Sequence, residues 1–359
     1  MPGNSFGHTL VLTTFGESHG AATGGILDGF PSLIDIDLDF IQSEVNRRRT
    51  GQAFFSSSRK EDDQFEILSG VFEGKSTGAP IAFITRNIDA KPEHYDQIKN
   101  VYRPSHADYT WEKKFGIRDY HGGGRASARE TLARVIGGAL AKLLLKKHGI
   151  FITGYVSQIG PCHLDDAFVL QEIAIPRSKI GCPDPQTEAG MIKILEDVKQ
   201  DGDTLGGVIS CTIKGVPAGL GEPVFDKLSA DLAKALLSIP SVKGFEYGSG
   251  FSSASMKGSE HNDVFISSEQ GTITTKTNHS GGIQGGISNG NEIYFRVAFK
   301  PVSSLMKDQE TINRQGEQVV LKGKGRHDVC VVPRAIVIVE AMASLVLADH
   351  LLRHRSAVA

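Results

Sequence analysis

Apolar positions along this chain recur at two periods, near two residues and near 3.6, and the two alternate from end to end. Residues 8–15 read as a strand that runs into a glycine-rich turn at Gly16. Residues 37–49 open on acids, keep Leu38, Ile41 and Val45 on one face and close on their own arginines, which predicts a helix. Strands are expected at 65–72 and 80–85. The clearest helix covers 126–148, where Leu132, Val135, Ile136, Ala139, Leu140 and Leu143 share a face and Gly149 ends it. Its N-terminus is then expected to receive the Gly122–Ser127 block, a flexible backbone in front of a positive helix end.

The second half continues in the same way. Strands are expected at 150–159, 207–214, 243–247, 272–277 and 292–299, and helices at 187–199, 228–237 and 335–352. At 359 residues the length suggests about two domains, but no change of composition, linker or repeat divides the chain. The expectation is one interwoven α/β body over residues 1–359.

Charge narrows the function. Lys and Arg number 39 against 41 Asp and Glu, with a pI near 6.6, so the basic clusters are local. A general nucleic-acid binder would show a basic surplus over a whole face. The N-terminus lacks a charged-then-apolar leader, and no run approaches the roughly 18 apolar residues of a membrane span. A cytoplasmic protein is expected. Cys162, Cys182, Cys211 and Cys330 have neither C-x-x-C spacing nor companion histidines, so reduced thiols and no metal site are expected.

Chemistry concentrates in a few blocks: Gly16-Glu17-Ser18-His19-Gly20, Arg47-Arg48-Arg49, Arg103-Pro104-Ser105-His106-Ala107-Asp108, Gly122-Gly123-Gly124-Arg125-Ala126-Ser127-Ala128-Arg129 and Gly325-Arg326-His327-Asp328. Small residues let backbone N–H groups approach a ligand, arginines fork onto phosphate or carboxylate, and histidines move protons near neutral pH. The pattern suits an acidic, phosphorylated substrate. Three stretches are decoys. Gly70–Ser76 has three residues between its glycines where a P-loop needs four. The glycine run 281–290 lacks the strand–turn–helix order of a dinucleotide site and reads as a tight loop beside a ligand. The three arginines lack the neighbouring basic turns of an RNA or targeting signal. Ser105 could cap the next segment, and His121 reads as a bystander.

In this order the blocks, with Asp28-Gly29-Phe30-Pro31 after the first and Glu340-Ala341-Met342 after the last, resemble the chorismate synthase family from about residue 6 to residue 350. The resemblance implies a β-α-β sandwich, usually a homotetramer. It also implies loss of phosphate and a ring proton from 5-enolpyruvylshikimate 3-phosphate to give chorismate, with reduced FMN required and no net redox change. By the same resemblance His19 protonates the leaving phosphate, His106 stabilises the anionic reduced flavin and Asp328 helps remove the ring proton. Arg48, Arg103, Ser127, Arg129 and Arg326 match substrate-binding positions. Arg125, Ala126, Ser127, Pro240, Ser241, Gly285, Lys300, Pro301, Val302, Ser303, Ser304 and Arg326 match flavin contacts.

The chain departs from the family pattern at Thr50 and Val329, where proline is usual, at Ala126, often serine, and at Phe54, usually basic. Phe54 removes one expected contact to an anion or a reductant. Two questions stay open in the sequence. One is whether the chain reduces its own flavin with NADPH or depends on an external flavin reductase. The other is the choice between a lyase, a flavin-dependent oxidoreductase and a non-catalytic phosphate or RNA binder. The balanced charge and the absence of aromatic stacking motifs count against the last.

Overall fold

The computed structural model describes residues 3–49, 63–88, 95, 98–165, 168, 170, 172–267, 271, 273–323 and 328–354. Thr50, Gln52, Phe54, Arg326 and His327 lie outside the described residues.

Two antiparallel five-stranded sheets form the outer layers. The first contains β1 (Ser5–Phe6), β2 (Val11–Gly16), β3 (Ala22–Asp28), β4 (Phe65–Ile67) and a strand at Ile81–Arg86. A short hairpin of β5 (Val71–Phe72) and β6 (Lys75–Ser76) separates β4 from that last strand, β7. The first sheet runs β1-β2-β3-β7-β4. The second contains β8 (Phe151–Ile159), β9 (Cys162–His163), β10 (Gly207–Lys214), β11 (Val242–Tyr247) and a strand at Ile293–Phe299. Two hairpins precede that strand, β12 (Phe265–Ser267) with β13 (Ile273–Thr275) and β14 (Ile283–Gln284) with β15 (Ile287–Ser288), making it β16. The second sheet runs β11-β16-β10-β8-β9. A hairpin of β17 (Gln309–Ile312) and β18 (Gln318–Leu321) follows.

Between the sheets lie α1 (Leu38–Arg48), α3 (Thr131–Lys147), α5 (Leu228–Leu237) and α7 (Val332–His354). The helices α2 (Asp108–Phe115), α4 (Pro185–Gln200) and a single turn, α6 (Gly258–His261), complete the α-helices among the described residues. The α/β sandwich expected from the sequence is therefore present. Helix α3 lies against β2 and β3, α7 against β8 and β10, and the two helices pack on each other. Two adjacent glycines make this sandwiching possible. A Cβ on Gly137 would stand 3.0 Å from the Leu12 side chain of β2, whereas one on Gly138 would stand 2.5 Å from the Cα of Ala341 on α7. One hydrophobic cluster runs from Leu10 to Leu351 through all these layers.

Helix α7 corrects one expectation. Its best 18-residue stretch has a mean hydropathy of 1.9, enough by length and composition to cross a membrane, yet 94% of that stretch is buried inside the protein. It is the central helix of the core, mostly apolar and buried on every side by the layers around it, with its few polar groups paired inside.

Buried charge ties these helices together. The Glu340 carboxylate on α7 accepts from Arg47 at 2.7 and 3.0 Å, from Lys142 of α3 at 2.7 Å and from the Gly154 N–H of β8 at 3.0 Å. Glu44 of α1 completes the cluster through Arg47 and Lys142. The first arginine of the 47–49 run is thereby structural. Asp349 of α7 likewise accepts from the N–H groups of His8, Thr9 and Leu10, fastening the entry to β2.

Several boundaries differ from the sequence reading. Helix α3 starts at Thr131, after two 3-10 turns at Gly124–Ala126 and Ala128–Glu130. The glycine block therefore does not sit on the α3 N-terminus, and Arg129 precedes that helix. The capping role suggested for Ser105 is also wrong. Helix α2 is capped at Ala107 without a side-chain bond, and Ser105 adopts a left-handed φ of 57°. Two of the three decoys resolve into hairpins, β5–β6 over the P-loop-like stretch and β14–β15 within the 281–290 run.

Candidate active site

The turn after β2 carries His19. Ser18, 2% exposed, donates its hydroxyl proton to the His121 carbonyl at 3.2 Å and lies 2.9 Å from His19 Nδ1. The serine hydroxyl thus bridges the His121 carbonyl and the imidazole. The ring edge also meets Tyr95, with centroids 4.8 Å apart.

The glycine block packs directly on this histidine. Gly122, Gly123 and Gly124 have φ of 63°, 92° and 53°, and the Gly124 carbonyl accepts from the Ser18 N–H at 3.3 Å. A Cβ on Gly122 would lie 2.3 Å from both Cε1 and Nδ1 of His19, so only glycine fits there. His121 contributes its carbonyl, while its imidazole is held by Asp119 at 2.8 Å.

The expected arginines meet on a residue that sequence reasoning missed. Arg48 and Arg129 are 4% and 6% exposed, and both reach the buried carboxylate of Asp63, at 3.4 and 2.9 Å. Arg48 also donates to the Ala128 carbonyl at 3.0 Å and to Thr131 Oγ1 at 3.1 Å. Ser127 accepts from the Arg129 N–H at 3.4 Å and so caps the 3-10 turn that holds this arginine. Arg125 turns the other way. It donates to the Thr14 carbonyl and side chain on β2 and to Asn4, and burial draws its pKa below the ordinary value.

A second cluster forms around His106. Its Nε2 is 3.0 Å from Ser304 Oγ, while Lys300 Nζ donates to Ser303 Oγ at 2.6 Å and to the Ser105 carbonyl at 3.1 Å. The Lys300 N–H donates to the Ser241 carbonyl at 2.9 Å, bringing the Pro240-Ser241 turn to the same loop. Burial first, and then the like charge of Lys243, draws the Lys300 pKa down. Such a desolvated cation suits an anionic ligand. Arg103 is fixed by Asp108, which accepts from its N–H at 3.0 Å, from Nε at 2.8 Å and from Nη2 at 2.8 Å, with Arg118 behind at 2.8 Å. Burial works to raise the Asp108 carboxyl, but Arg103 and Arg118 outweigh it and hold it at about 2.

The turn before β10 brings Asp328 to this cluster. Thr204 Oγ1 donates to the Val302 carbonyl at 2.7 Å, and the next residue, Leu205, donates its N–H to the Val329 carbonyl at 2.9 Å. The Lys300-to-Ser304 loop and the Asp328 segment thus hang on neighbouring residues. Asp328, 7% exposed, is held by Arg334. The two clusters meet at Arg103, whose Nη2 lies 3.7 Å from the position of a Cβ on Gly123.

Gly285 stands apart from both. It lines a cavity of about 680 Å³ with Phe245, Tyr247, Phe251 and His279, at the Tyr247 end of β11. Lys300 follows Phe299, which pairs with Val242 at the opposite end of that strand. Asp63, Arg334, Thr204 and Asn87 carry no local motif, whereas Asp108 closes a block the sequence marked. Ser18 had one signal, its place beside His19.

Comparison with known proteins agrees over nearly the whole length. The family model described as chorismate synthase matches residues 10–352. A protein of Cytophaga hutchinsonii named chorismate synthase is 58% identical over 356 residues, covering 98% of each chain. Another of that name, from Phocaeicola vulgatus, is 56% identical over 98% of this chain and 99% of its own. A solved structure described as a crystal structure of chorismate synthase superposes with a TM-score of 0.76 at 32% identity, covering 97% of this chain and 93% of the other.

Proposed function

This chain belongs to the chorismate synthase family, and on that premise we propose that the two joined clusters convert 5-enolpyruvylshikimate 3-phosphate to chorismate beside a bound reduced FMN. The reaction class is carbon–oxygen lysis: one C–O bond to phosphate and one ring C–H bond break, and a new C=C bond forms. The observation that carries the reading is the convergence of the turns at 16–20, 103–108, 122–127 and 300–304, four separate stretches of chain, through His19, Gly122, Gly123 and Arg103.

Each residue then has a defined task. Arg48, Arg103 and Arg129 hold the substrate's phosphate and carboxylates, and their own carboxylate partners fix them before the substrate arrives. His19 acts as the imidazolium: one ring nitrogen stays on Ser18 while the other gives its proton to the departing phosphate, leaving neutral imidazole. Asp328, held by Arg334, receives the ring proton. His106, Lys300, Ser303 and Ser304 form a cationic, hydroxyl-rich wall that fits an anionic flavin. A reduced flavin held there would supply electron density for C–O cleavage with no net change of oxidation state. By family resemblance Ala126, Pro240, Ser241, Pro301 and Val302 belong to the same wall and Arg326 serves both flavin and substrate, whereas Arg125 and Gly285, also flavin positions by that resemblance, point elsewhere in this chain. A homotetramer, a cytoplasmic setting and reduction by NADPH or by an external reductase belong to the proposal on the same ground, as does one domain over residues 1–359.

An anaerobic assay with substrate and pre-reduced FMN tests it. Phosphate and chorismate should appear in equal amounts while the flavin stays reduced. Turnover without flavin, or oxidation of one flavin per product, would reject the lyase reading.

Gly122 offers a finer test of the His19 geometry. Gly122→Ala should cost about 1–2 kcal/mol of stability for the left-handed φ. It should also lower turnover by roughly 10- to 100-fold, because its methyl group displaces the imidazole. Steady-state kinetics beside a thermal melt would show it, and unchanged turnover would mean that this packing does not govern the histidine.

A further inference from the structure

Asn87, half-buried just after β7, commits its backbone N–H and its whole side-chain amide to two features of the site. Its backbone N–H donates to the Ala21 carbonyl at 3.1 Å, and its side-chain amide donates to the carbonyls of Glu17 at 3.0 Å and Gly20 at 2.7 Å. All three donors therefore grip the turn that carries His19. Its side-chain oxygen accepts from Arg129 Nε. Arg129 passes the connection to Asp63, and Asp63 to Arg48. Carbonyls only accept and a guanidinium only donates, so the amide has one consistent orientation.

We propose that Asn87 is a positioning residue: it fixes the His19 turn relative to the Arg48–Asp63–Arg129 group, so that the proton donor and the anion-binding arginines keep one geometry. No other side chain of this size offers two donors on one branch and an acceptor on the other. Aspartate would keep the contact to Arg129 but set an oxygen against the carbonyls of Glu17 and Gly20. The inference rests on the proposed role of His19 as the acid.

The test pairs kinetics with a direct view of the imidazole. In protein labelled with ¹⁵N-histidine, the His19 resonance is identified by its loss in His19→Ala. Asn87→Ala and Asn87→Asp should move or broaden that resonance. They should also lower kcat by roughly 10- to 100-fold, with KM changed by less than about 3-fold. In a His19→Ala background, Asn87→Asp should add nothing, since the two act as a unit. An unmoved resonance would overturn the proposal, as would an equal loss of kcat in both backgrounds. Should Asn87→Ala fail to fold, Asn87→Asp, of the same volume, carries both measurements. Wild-type turnover in His19→Ala together with a displaced resonance in the Asn87 variants would overturn the role of His19 while upholding the positioning by Asn87.

Discussion

Replacing His19 by alanine is expected to lower turnover by roughly 10²- to 10⁴-fold, the range for loss of a positioned proton-transfer group. The fold should change little, because the ring lies on a turn whose hydrogen bonds run through the backbone and through Asn87. His106→Ala should also be slow, through loss of the contact to Ser304 in the flavin wall. His121→Ala is the informative control. Its imidazole pairs with Asp119, and its link to the site is a backbone carbonyl that alanine keeps. Steady-state kinetics of the three variants at saturating substrate and reduced flavin would rank them. Turnover close to wild type in His19→Ala, or a larger loss in His121→Ala, would place the acid elsewhere.

Glu340→Gln should destabilise the protein by about 3–5 kcal/mol, the usual consequence of removing one partner from a buried charge cluster. The variant keeps the shape and an acceptor for the Gly154 N–H, but it leaves Arg47 and Lys142 facing Glu44 alone. The pH dependence follows from the same contacts. Burial would raise the Glu340 carboxyl, yet Lys142 and Arg47 outweigh it and hold it at about 2, below its ordinary 4.5. A depressed carboxylate contributes stability that is fully present above the unfolded pKa. Wild type should therefore lose this contribution as pH falls from about 4.5 towards 2, and Glu340→Gln should lack that component. Denaturant titrations across that interval would check both statements. Equal stability of the two proteins at neutral pH would show that the cluster contributes nothing net.

The sequence by itself determined the α/β class, the helices α1, α5 and α7 and the strands β8, β10, β11 and β16 of the second sheet, because each is a sustained run of patterned apolar residues, whereas β9 is two residues long and went unmarked. It also marked the blocks around His19, His106 and Ser127, where glycine, histidine and arginine gather in a few consecutive positions. It did not mark α2, too short and too polar to show a period, nor the two 3-10 turns ahead of α3, whose residues continue that helix's pattern. Tertiary structure decided what these arginines touch. Nothing in the local composition separates Arg47 from Arg48, which only family resemblance singled out, yet the step of about 100° between successive helix residues sends Arg47 to Glu340 and Arg48 to Asp63. It alone decided that Gly138 must be small, since its neighbour Ala341 lies about 200 positions away on α7. The same holds for Asp63, Asn87 and Thr204. A carboxylate, an amide or a hydroxyl has no local signature of function, and each becomes part of the site only when folding brings a partner within hydrogen-bond reach.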